Sequence, residues 1–303
     1  MTILALEIGA TRLAAIEIAD GVGSDRVQEI PVPRQGAWGK VRELLLRVAA
    51  GREVTGVGIA SSGPIDMSSG VVAPAQVQEW QAGFPLVESV QKLFPAASVA
   101  MALDGVCLSL AERHFGATRE VMDSLSIQLS ETVFGGVMVG GFVVVGRTGN
   151  AGQIGHVLVP GHDGPCGCGG RGCLESVAGA PALTAWARQQ GWGGDTVADL
   201  AADAQGGDRI AVAALERAGA AVGRAIASVA ALLDIDRVVV SGPIATAGSG
   251  LWKPLHSAVA MHARLPFLPG LRVVPSELAD LGLLAGAGVI ALTSQNEDPR
   301  TAQ

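Results

Sequence analysis

Four side chains that bind soft divalent metals lie close together in the sequence. The segment GPCGCGGRGCLE (164–175) contains Cys166, Cys168 and Cys173, and His156 lies ten residues before the first of them. Three thiolates and one imidazole are a standard complement for a structural zinc ion, with no position left for a catalytic water. The alternatives are a cluster without metal and a redox pair, but a C-x-x-C pair that opens a helix is absent. The pattern favours a structural zinc site.

Glycines surround the cysteines and shape the loop that would hold the metal. Glycine enters left-handed backbone conformations without steric cost, which a C-x-C spacing requires. The glycines expected to do so are Gly167, Gly169, Gly170 and Gly172. A helix is predicted to begin near Leu174, so Glu175 would project from its first turn, and His156 would keep one ring nitrogen for a ligand. The other histidines are interpreted as ordinary surface or core residues: His114, His162, His256 and His262.

Composition limits the classes of protein to which the chain can belong. Its 303 residues are 49% hydrophobic and 16% charged, enough to form two domains with separate cores. The net charge of −7 argues against a nucleic-acid-binding surface. The N-terminus lacks the basic region of a signal peptide, and charges at Glu216, Arg217 and Arg224 disfavour a membrane span over 211–235. We expect a soluble, cytoplasmic protein, and a reducing cytosol disfavours disulfides.

Strand and helix patterns occur twice along the chain, each time after a hairpin. In the first half, strand-like runs at 3–19 break at residues 9–11, and a strand (54–66), a helix (84–94), a strand (97–104) and a helix (105–116) follow. In the second half, strand-like runs at 124–130 and 135–146, with glycines at the turns, precede a loop-rich region (147–173), a helix (211–233), a strand (237–243) and a helix (281–294). This order predicts an α/β protein of two similar lobes.

Several segments together resemble the ROK family of sugar kinases and sugar-responsive repressors. They are EIGATR (7–12), GVGIASSGPID (56–66), VAMALDGVCLSLAERHFGA (99–117), GQIGHVLV (152–159), CGCGGRGCLE (166–175), RVVVSGPIATAG (237–248) and LADLGLLAGAGVIAL (278–292). The resemblance implies an actin-like ATPase (ribonuclease H-like) fold, with sugar and ATP meeting in a cleft between two lobes. It implies an N-terminal lobe of residues 1–116, completed by 281–303, and a C-terminal lobe of residues 117–280 that contains the zinc loop (156–173). It also implies a homodimer.

The resemblance also implies a sugar site. Asp104 matches the aspartate that acts as general base toward the 6-hydroxyl of the sugar; the alternative from the residues alone is that it only caps the following helix. The substrate-binding positions are Gly63, Asp104, Gln153, His156 and Glu175. Two positions depart from the family pattern, because Leu103 replaces an asparagine and Gln153 replaces a glutamate. These changes predict weaker binding of the usual hexose or a ligand that is less polar at that edge.

The nucleotide site implied by the resemblance departs further from the family pattern. Its positions are Glu7, Gly9, Thr11, Arg12, Thr132 and Gly242, which would bind Mg-ATP. Ala10 replaces a glycine, which is unfavourable if that turn needs positive φ, and Pro243 replaces another glycine and stiffens its loop. Glu131 lies in the second phosphate hairpin. If its carboxylate faces a phosphate at 4 Å, the repulsion costs about 4 kcal/mol at an effective dielectric constant of 20.

Two functions therefore stay open at this point. The first is a ROK-type, glucokinase-like kinase that phosphorylates a hexose with ATP, its activity weak or lost. The second is a non-catalytic sugar-binding relative that does not bind ATP productively. Repressors of the family carry a helix-turn-helix domain before the sugar-binding lobes. Because the first predicted strand begins by residue 3, we do not expect such a domain here.

Overall fold

The structure is a computed structural model that describes residues 2–18 and 26–297. Its strands are β1 (Thr2–Ile8), β2 (Arg12–Ile18), β3 (Gln28–Pro31), β4 (Val54–Ser61), β5 (Ile65–Asp66), β6 (Val71–Val72), β7 (Ser98–Leu103), β8 (Ser124–Leu129), β9 (Val133–Val139), β10 (Phe142–Val143), β11 (Arg237–Ser241) and β12 (Arg272–Pro275). Its α-helices are α1 (Ala37–Ala49), α2 (Leu86–Leu93), α3 (Asp104–Phe115), α4 (Glu175–Ala178), α5 (Ala180–Gln189), α6 (Val197–Gln205), α7 (Arg209–Leu233), α8 (Ser249–His262) and α9 (Gly282–Glu297).

The chain divides into two compact units. The first consists of Met1–His114, Val144–Ala151 and Asp280–Gln303. Its five-stranded sheet has the order β3-β2-β1-β4-β7, in which β1, β2 and β3 are antiparallel and β4 and β7 are parallel to β1. Helix α9 packs on β1, β4 and β7, and α1 packs on β2. Residues 4–8 of β1 are fully or almost fully buried, and they include the charged Glu7 among four apolar residues.

The second unit consists of Phe115–Val143 and Gly152–Ala279. Its sheet has the order β10-β9-β8-β11-β12, with an antiparallel β8-β9-β10 part and with β11 and β12 parallel to β8 and to each other. The strand directions therefore repeat those of the first unit. Helix α7 is the centre of the helical layer and packs on α4, α5, α6 and α8. Leu215, Val222 and Ile226 of α7 belong to a core that also contains Ile127 and Val240 of the sheet.

The predicted elements that open each half are confirmed, because β1–β2 and β8–β9 are antiparallel hairpins. The glycine turn predicted within the strand-like run over 135–146 is confirmed. Strand β9 begins at Val133 and ends at Val139, and the chain then turns at Gly140 and Gly141, whose φ angles are 59° and 81°. The predicted strand over 97–104 is β7, which is buried in its second half. Within the described residues, no helix is long and apolar enough to cross a membrane.

Candidate functional site

The four predicted metal ligands lie together in the second unit. The ligand atoms of His156, Cys166, Cys168 and Cys173 all lie within 4.8 Å of one another. The sulfur atoms of Cys168 and Cys173 are 3.8 Å apart, and Cys166 Sγ lies 3.7 Å from His156 Nδ1. A disulfide needs ~2.0 Å between sulfurs, whereas a tetrahedral zinc ion with Zn–S distances of ~2.3 Å separates its sulfur ligands by about 3.8 Å. The donor set and its spacing therefore fit a structural zinc ion.

Tight turns fold the cysteine segment onto itself. The amide of Cys166 donates to the carbonyl of Gly170 at 2.9 Å, and the amide of Gly169 donates to the carbonyl of Cys166 at 3.0 Å. Gly169 and Gly172 have φ angles of 87° and 77°, the left-handed conformation that favours glycine. Gly167 and Gly170 do not have positive φ, so the expectation that all four glycines supply this conformation is wrong for those two.

A chain of side chains connects the metal-binding loop to α7. Ser176 Oγ donates to the Cys173 carbonyl at 2.7 Å, so it accepts from His162 Nε2 at 3.0 Å. His162 Nδ1 is then an acceptor and faces Arg217 Nη2 at 3.4 Å, while the Arg217 guanidinium lies 5.4 Å from the ring centroid of Trp186. Burial, and then the charge of Arg217, lowers the pKa of His162. His162 thus has a structural role that its interpretation as an ordinary histidine missed.

Removal of the Ser176 hydroxyl should loosen the metal-binding loop. In a Ser176→Ala variant, the Cys173 carbonyl loses the hydroxyl that donates to it, and His162 Nε2 loses its acceptor. We expect zinc transfer to a chromophoric chelator to become roughly tenfold faster. Loss of a hydrogen-bond partner of a metal-ligating residue typically lowers metal affinity by about that factor. The matched control is Ser228→Ala, which removes an exposed hydroxyl bonded to the Arg224 carbonyl. Equal transfer rates in the two variants would contradict the anchoring role.

The candidate sugar-binding residues of the second unit surround a 3₁₀ turn at Ile154–His156. Glu175 lies in the first turn of α4, as predicted, and its Oε2 accepts a hydrogen bond from the Val133 amide at 2.9 Å. Gly155 packs so closely on β9 that a Cβ would lie 2.0 Å from the Val133 carbonyl oxygen. The side chain of Gln153 makes no hydrogen bond with any residue that the structure describes. The 3₁₀ turn that carries His156, helix α4 and the β8–β9 hairpin are therefore held together.

The candidate base of the first unit lies where β7 meets α3. Asp104 is 5% exposed, and its Oδ1 accepts a hydrogen bond from the Gly105 amide at 2.7 Å. That is its only hydrogen bond within the described residues, so the carboxylate does not bond the second or third amide of α3 as a helix cap would. Burial raises the pKa of Asp104 to about 7, opposed by the Gly105 hydrogen bond and assisted by the charge of Glu7. Leu103, beside it, is 1% exposed.

The turn that contains Gly63 is held by hydrogen bonds from another loop. Gly63 lies between β4 and β5, before the cis peptide bond to Pro64. The carboxamide of Asn150 accepts a hydrogen bond from the Ile65 amide at 2.9 Å and donates one to the Ile65 carbonyl at 2.6 Å. The glycine-rich segment that contains Asn150 resembles a phosphate-binding loop only superficially, and here it holds the turn after Gly63. The sequence analysis missed this role of Asn150.

An ion pair connects the two strands that flank the first predicted phosphate loop. Arg12 binds both carboxylate oxygens of Glu7, at 3.2 and 3.1 Å, and also Glu29 at 2.8 Å. The strand register explains this contact, because Glu7, Ala14 and Glu29 are successive cross-strand partners and Arg12 lies on the same face. Burial raises the pKa of Glu7, opposed by Arg12. Neither Gly9 nor Ala10 has positive φ, so the concern that alanine is unfavourable in this turn is wrong.

Two predicted nucleotide positions, Thr132 and Gly242, lie in the second unit. Ser130, Glu131 and Thr132 form the β8–β9 turn, where Ser130 Oγ donates to the Thr132 carbonyl at 2.9 Å and the Glu131 side chain is exposed. Gly242, with a φ of 93°, follows β11, and Pro243 opens a 3₁₀ helix, a position that suits its fixed φ and missing amide. Thr132 and Gly242 thus lie near the same end of β8, because Gly242 packs against the backbone of Leu129.

The sequence as a whole matches a known family. The model of the ROK family matches residues 3–294. This chain belongs to the ROK family. Over 267 residues the ROK chain is 31% identical to a glucokinase of Thermotoga maritima, with 83% of this chain and 84% of the relative covered. It is 33% identical over 304 residues to an N-acetylmannosamine kinase of Yersinia pseudotuberculosis, with 96% of this chain and 98% of the relative covered.

Solved structures of ROK proteins share the fold of this one. A ROK hexokinase from Thermus thermophilus has a TM-score of 0.81 and 27% identity, over 98% of this chain and 100% of that chain. A ROK family glucokinase from Streptomyces griseus, in complex with glucose and AMPPNP, has a TM-score of 0.84 and 23% identity, over 97% of this chain and 100% of that chain. The predicted actin-like ATPase fold of this ROK protein is confirmed.

Proposed function

We propose that this ROK protein is a sugar kinase that phosphorylates a hexose with ATP. The observation that carries the proposal is the position of Asp104, a buried carboxylate at a strand-to-helix junction whose Oδ2 has no hydrogen-bond partner among the described residues. A general base needs such an oxygen and a pKa near the working pH, and the pKa of Asp104 is raised to about 7. Its position in a chain of the ROK family supports phosphoryl transfer to a sugar as the reaction.

In the proposed reaction Asp104 accepts the proton of the 6-hydroxyl group of the sugar. The sugar oxygen forms a bond to the γ-phosphorus of ATP while the bond from that phosphorus to the β,γ-bridging oxygen breaks. The products are hexose 6-phosphate, ADP and a proton that Asp104 later releases to solvent. Mg²⁺ arrives with ATP as part of the co-substrate and neutralises phosphate charge.

We propose that Gly63, Gln153, His156 and Glu175 bind the hydroxyl groups of the sugar. Support comes from the second unit, where the zinc loop and α4 hold His156 and Glu175 in fixed positions. Glu175 Oε2 is bonded to the Val133 amide, so Oε1 is the oxygen that would accept from a sugar. The structural zinc would do no chemistry and would hold His156 by Nδ1, so Nε2 would face the ligand.

Leu103 is the residue that should distinguish this kinase from relatives with asparagine there. Its buried side chain offers no hydrogen bond, so a sugar hydroxyl at that edge would lose a partner, which costs roughly 1–3 kcal/mol. A sugar with an apolar substituent at that edge would avoid this cost. N-acetylated hexosamines, which carry a methyl group, therefore belong in the substrate panel beside simple hexoses.

We propose that ATP binds to Glu7, Gly9, Thr11, Arg12, Thr132 and Gly242. The backbone conformation of Ala10 and the 3₁₀ helix opened by Pro243 support this assignment, because neither replacement imposes strain. One observation favours a second candidate function. The exposed Glu131 carboxylate lies in the hairpin expected to receive phosphates, so a sugar-binding protein that does not use ATP is the alternative.

A coupled assay of ADP release, run with hexoses and N-acetylated hexosamines beside a calorimetric titration of Mg-ATP, separates the two functions. The kinase predicts ADP release with at least one sugar and heat on ATP binding. Sugar binding without ATP heat or turnover would establish the alternative instead. Absence of both sugar binding and turnover across the panel would contradict both functions.

Removal of the Glu131 charge should strengthen ATP binding. A Glu131→Gln variant keeps the shape of the side chain but removes a like charge beside the phosphates. Because this side chain is exposed and solvent screens it, we expect the KM for Mg-ATP to fall by about tenfold, less than the unscreened repulsion would give. Glu216→Gln, an equal charge change at an exposed position of α7, is the control and should leave this KM unchanged. An unchanged KM in Glu131→Gln would show that the carboxylate points away from ATP.

We also propose that the protein works in the cytoplasm as a homodimer, as the family resemblance implies. Sedimentation equilibrium of the purified full chain measures the oligomeric state directly, and a single species of monomer mass at micromolar concentration would contradict the dimer.

A further inference from the structure

A cavity of about 840 Å³ lies in the second unit beside β11 and β12. Arg119, Arg237 and Arg272 line it, together with two carboxylates, Glu120 and Glu277. None of these residues belongs to the candidate sugar or nucleotide positions. The volume is within the range of pockets that hold small molecules.

Two of the arginines are held side by side by the sheet. Arg237 and Arg272 are register partners in the parallel pair of β11 and β12, so their side chains leave the same face of the sheet from strands about 4.8 Å apart. Like charges directly opposite each other on neighbouring strands are destabilising. Within the described residues, neither arginine has a carboxylate within ion-pair distance.

The guanidinium donors of this pair are mostly unused. Arg237 Nη1 donates to the Ala117 carbonyl at 2.7 Å, but its Nε is buried and has no partner among the described residues. The Arg272 side chain is exposed and makes no hydrogen bond within the described part of the chain. Two adjacent cations with free donors and no ion-paired carboxylate would be stabilised by a bound anion. Guanidinium groups match phosphate oxygens in paired hydrogen bonds.

We propose that this cavity binds the phosphate monoester of a polyol. Arg237 and Arg272 would bind the phosphate, with Arg119 adding positive charge to the cavity. Glu120 and Glu277 would repel a second phosphate group but can accept hydrogen bonds from hydroxyl groups, which favours a phosphorylated polyol over a polyphosphate.

The cavity is separate from the proposed nucleotide site. The residue of β11 that lines it is Arg237, the first of that strand, and the lining continues along β12 to Glu277. None of the proposed nucleotide positions is among its lining residues. The inference therefore does not depend on the proposed kinase function. A phosphorylated sugar, which is the product class of that reaction, would bind here as a second ligand.

Calorimetric titration of the full chain with inorganic phosphate and with glucose 6-phosphate tests the site. Arg272→Gln removes one cation of the cavity without breaking any described hydrogen bond. The control is Arg264→Gln, because Arg264 is an exposed residue of the same unit that does not line the cavity. We expect Arg272→Gln to weaken a binding event for both ligands by roughly tenfold or more, since charge-assisted bonds to phosphate are lost. Arg264→Gln and Asp104→Asn should keep that event.

Two results would overturn the proposal. Absence of any binding event that depends on Arg272 would remove the phosphate site. Binding of inorganic phosphate with no binding of glucose 6-phosphate would remove the polyol assignment. The melting temperature without ligand distinguishes a folding defect, because loss of a like-charge neighbour should leave the Arg272→Gln variant at least as stable as the wild type.

Discussion

Replacement of Asp104 by asparagine is expected to lower kcat at least about a hundredfold and to leave the Kd of the sugar within a few-fold of its wild-type value. Asparagine has the shape of aspartate and can still accept a hydrogen bond, but it cannot take a proton. The measurement is ADP release beside calorimetric titration of the sugar. Asp234→Asn, the same change at an exposed residue after α7, is the control and should retain full activity. Comparable kcat values in the two variants would remove Asp104 from the mechanism.

The pH dependence gives Asp104 a signature that a structural role would not produce. The base must be deprotonated, and the pKa of Asp104 is raised to about 7, so kcat/KM should rise with pH and level off above this value. Ionisation of Asp104 should raise kcat/KM but lower the stability of the folded protein. Because the folded-state pKa exceeds the ordinary value of 3.8, the contribution of this group is present below pH 4 and is lost as the pH rises through about 7.

The same variant should therefore gain stability as it loses activity. A difference of about three pKa units corresponds to roughly 4 kcal/mol at most, which is the cost of ionising this buried carboxyl group. Asp104→Asn should unfold at higher denaturant concentration than the wild type at pH 8, and the two should converge near pH 4. Equal stability of both proteins at pH 8 would show that the folded state ionises Asp104 without cost.

Loss of the metal is the second change with a large expected effect. In a Cys173→Ser variant, one of four ligands is replaced by a weaker one at a buried position. We expect the zinc content to fall from about one ion per chain to near zero and the unfolding free energy to fall by several kcal/mol, since binding energy of a structural zinc is folding energy. Elemental analysis and denaturant unfolding measure the two effects.

A serine substitution at another buried cysteine measures the cost of burying a hydroxyl group without loss of the metal. Cys107 lies in α3 of the first unit and is fully buried, so Cys107→Ser makes the same chemical change away from the metal-binding loop. We expect Cys107→Ser to lose some stability but to keep its zinc. Full zinc content in Cys173→Ser, or none in the wild-type protein, would contradict the assignment of the loop as a zinc site.

Local patterns were enough to predict much of the fold and the metal ligands. The β1–β2 hairpin, α3, α7 and β11 follow from periodicity and from turn residues close in sequence. The cysteine cluster was visible because its ligands lie within one short segment. The turn within 135–146 could be predicted too, because Gly140 and Gly141 interrupt the strand-like pattern.

Contacts between distant segments could not be predicted in this way. Arg12 was assigned to phosphate binding from its position, but the register of three strands brings it onto Glu7 and Glu29. Arg237 and Arg272 are separated by 34 residues along the chain, and only the pairing of β11 with β12 makes them neighbours. Such placements depend on sheet order and helix packing, which the local spacing of residue types does not encode.

Transfer of label from [γ-³²P]ATP to a sugar, measured in the wild type and in Asp104→Asn, tests the proposed kinase most directly. We predict labelled sugar phosphate from at least one hexose or N-acetylated hexosamine with the wild-type protein and at least a hundredfold less with the variant. Absence of labelled sugar with every substrate, or equal labelling by the two proteins, would contradict phosphoryl transfer that depends on Asp104.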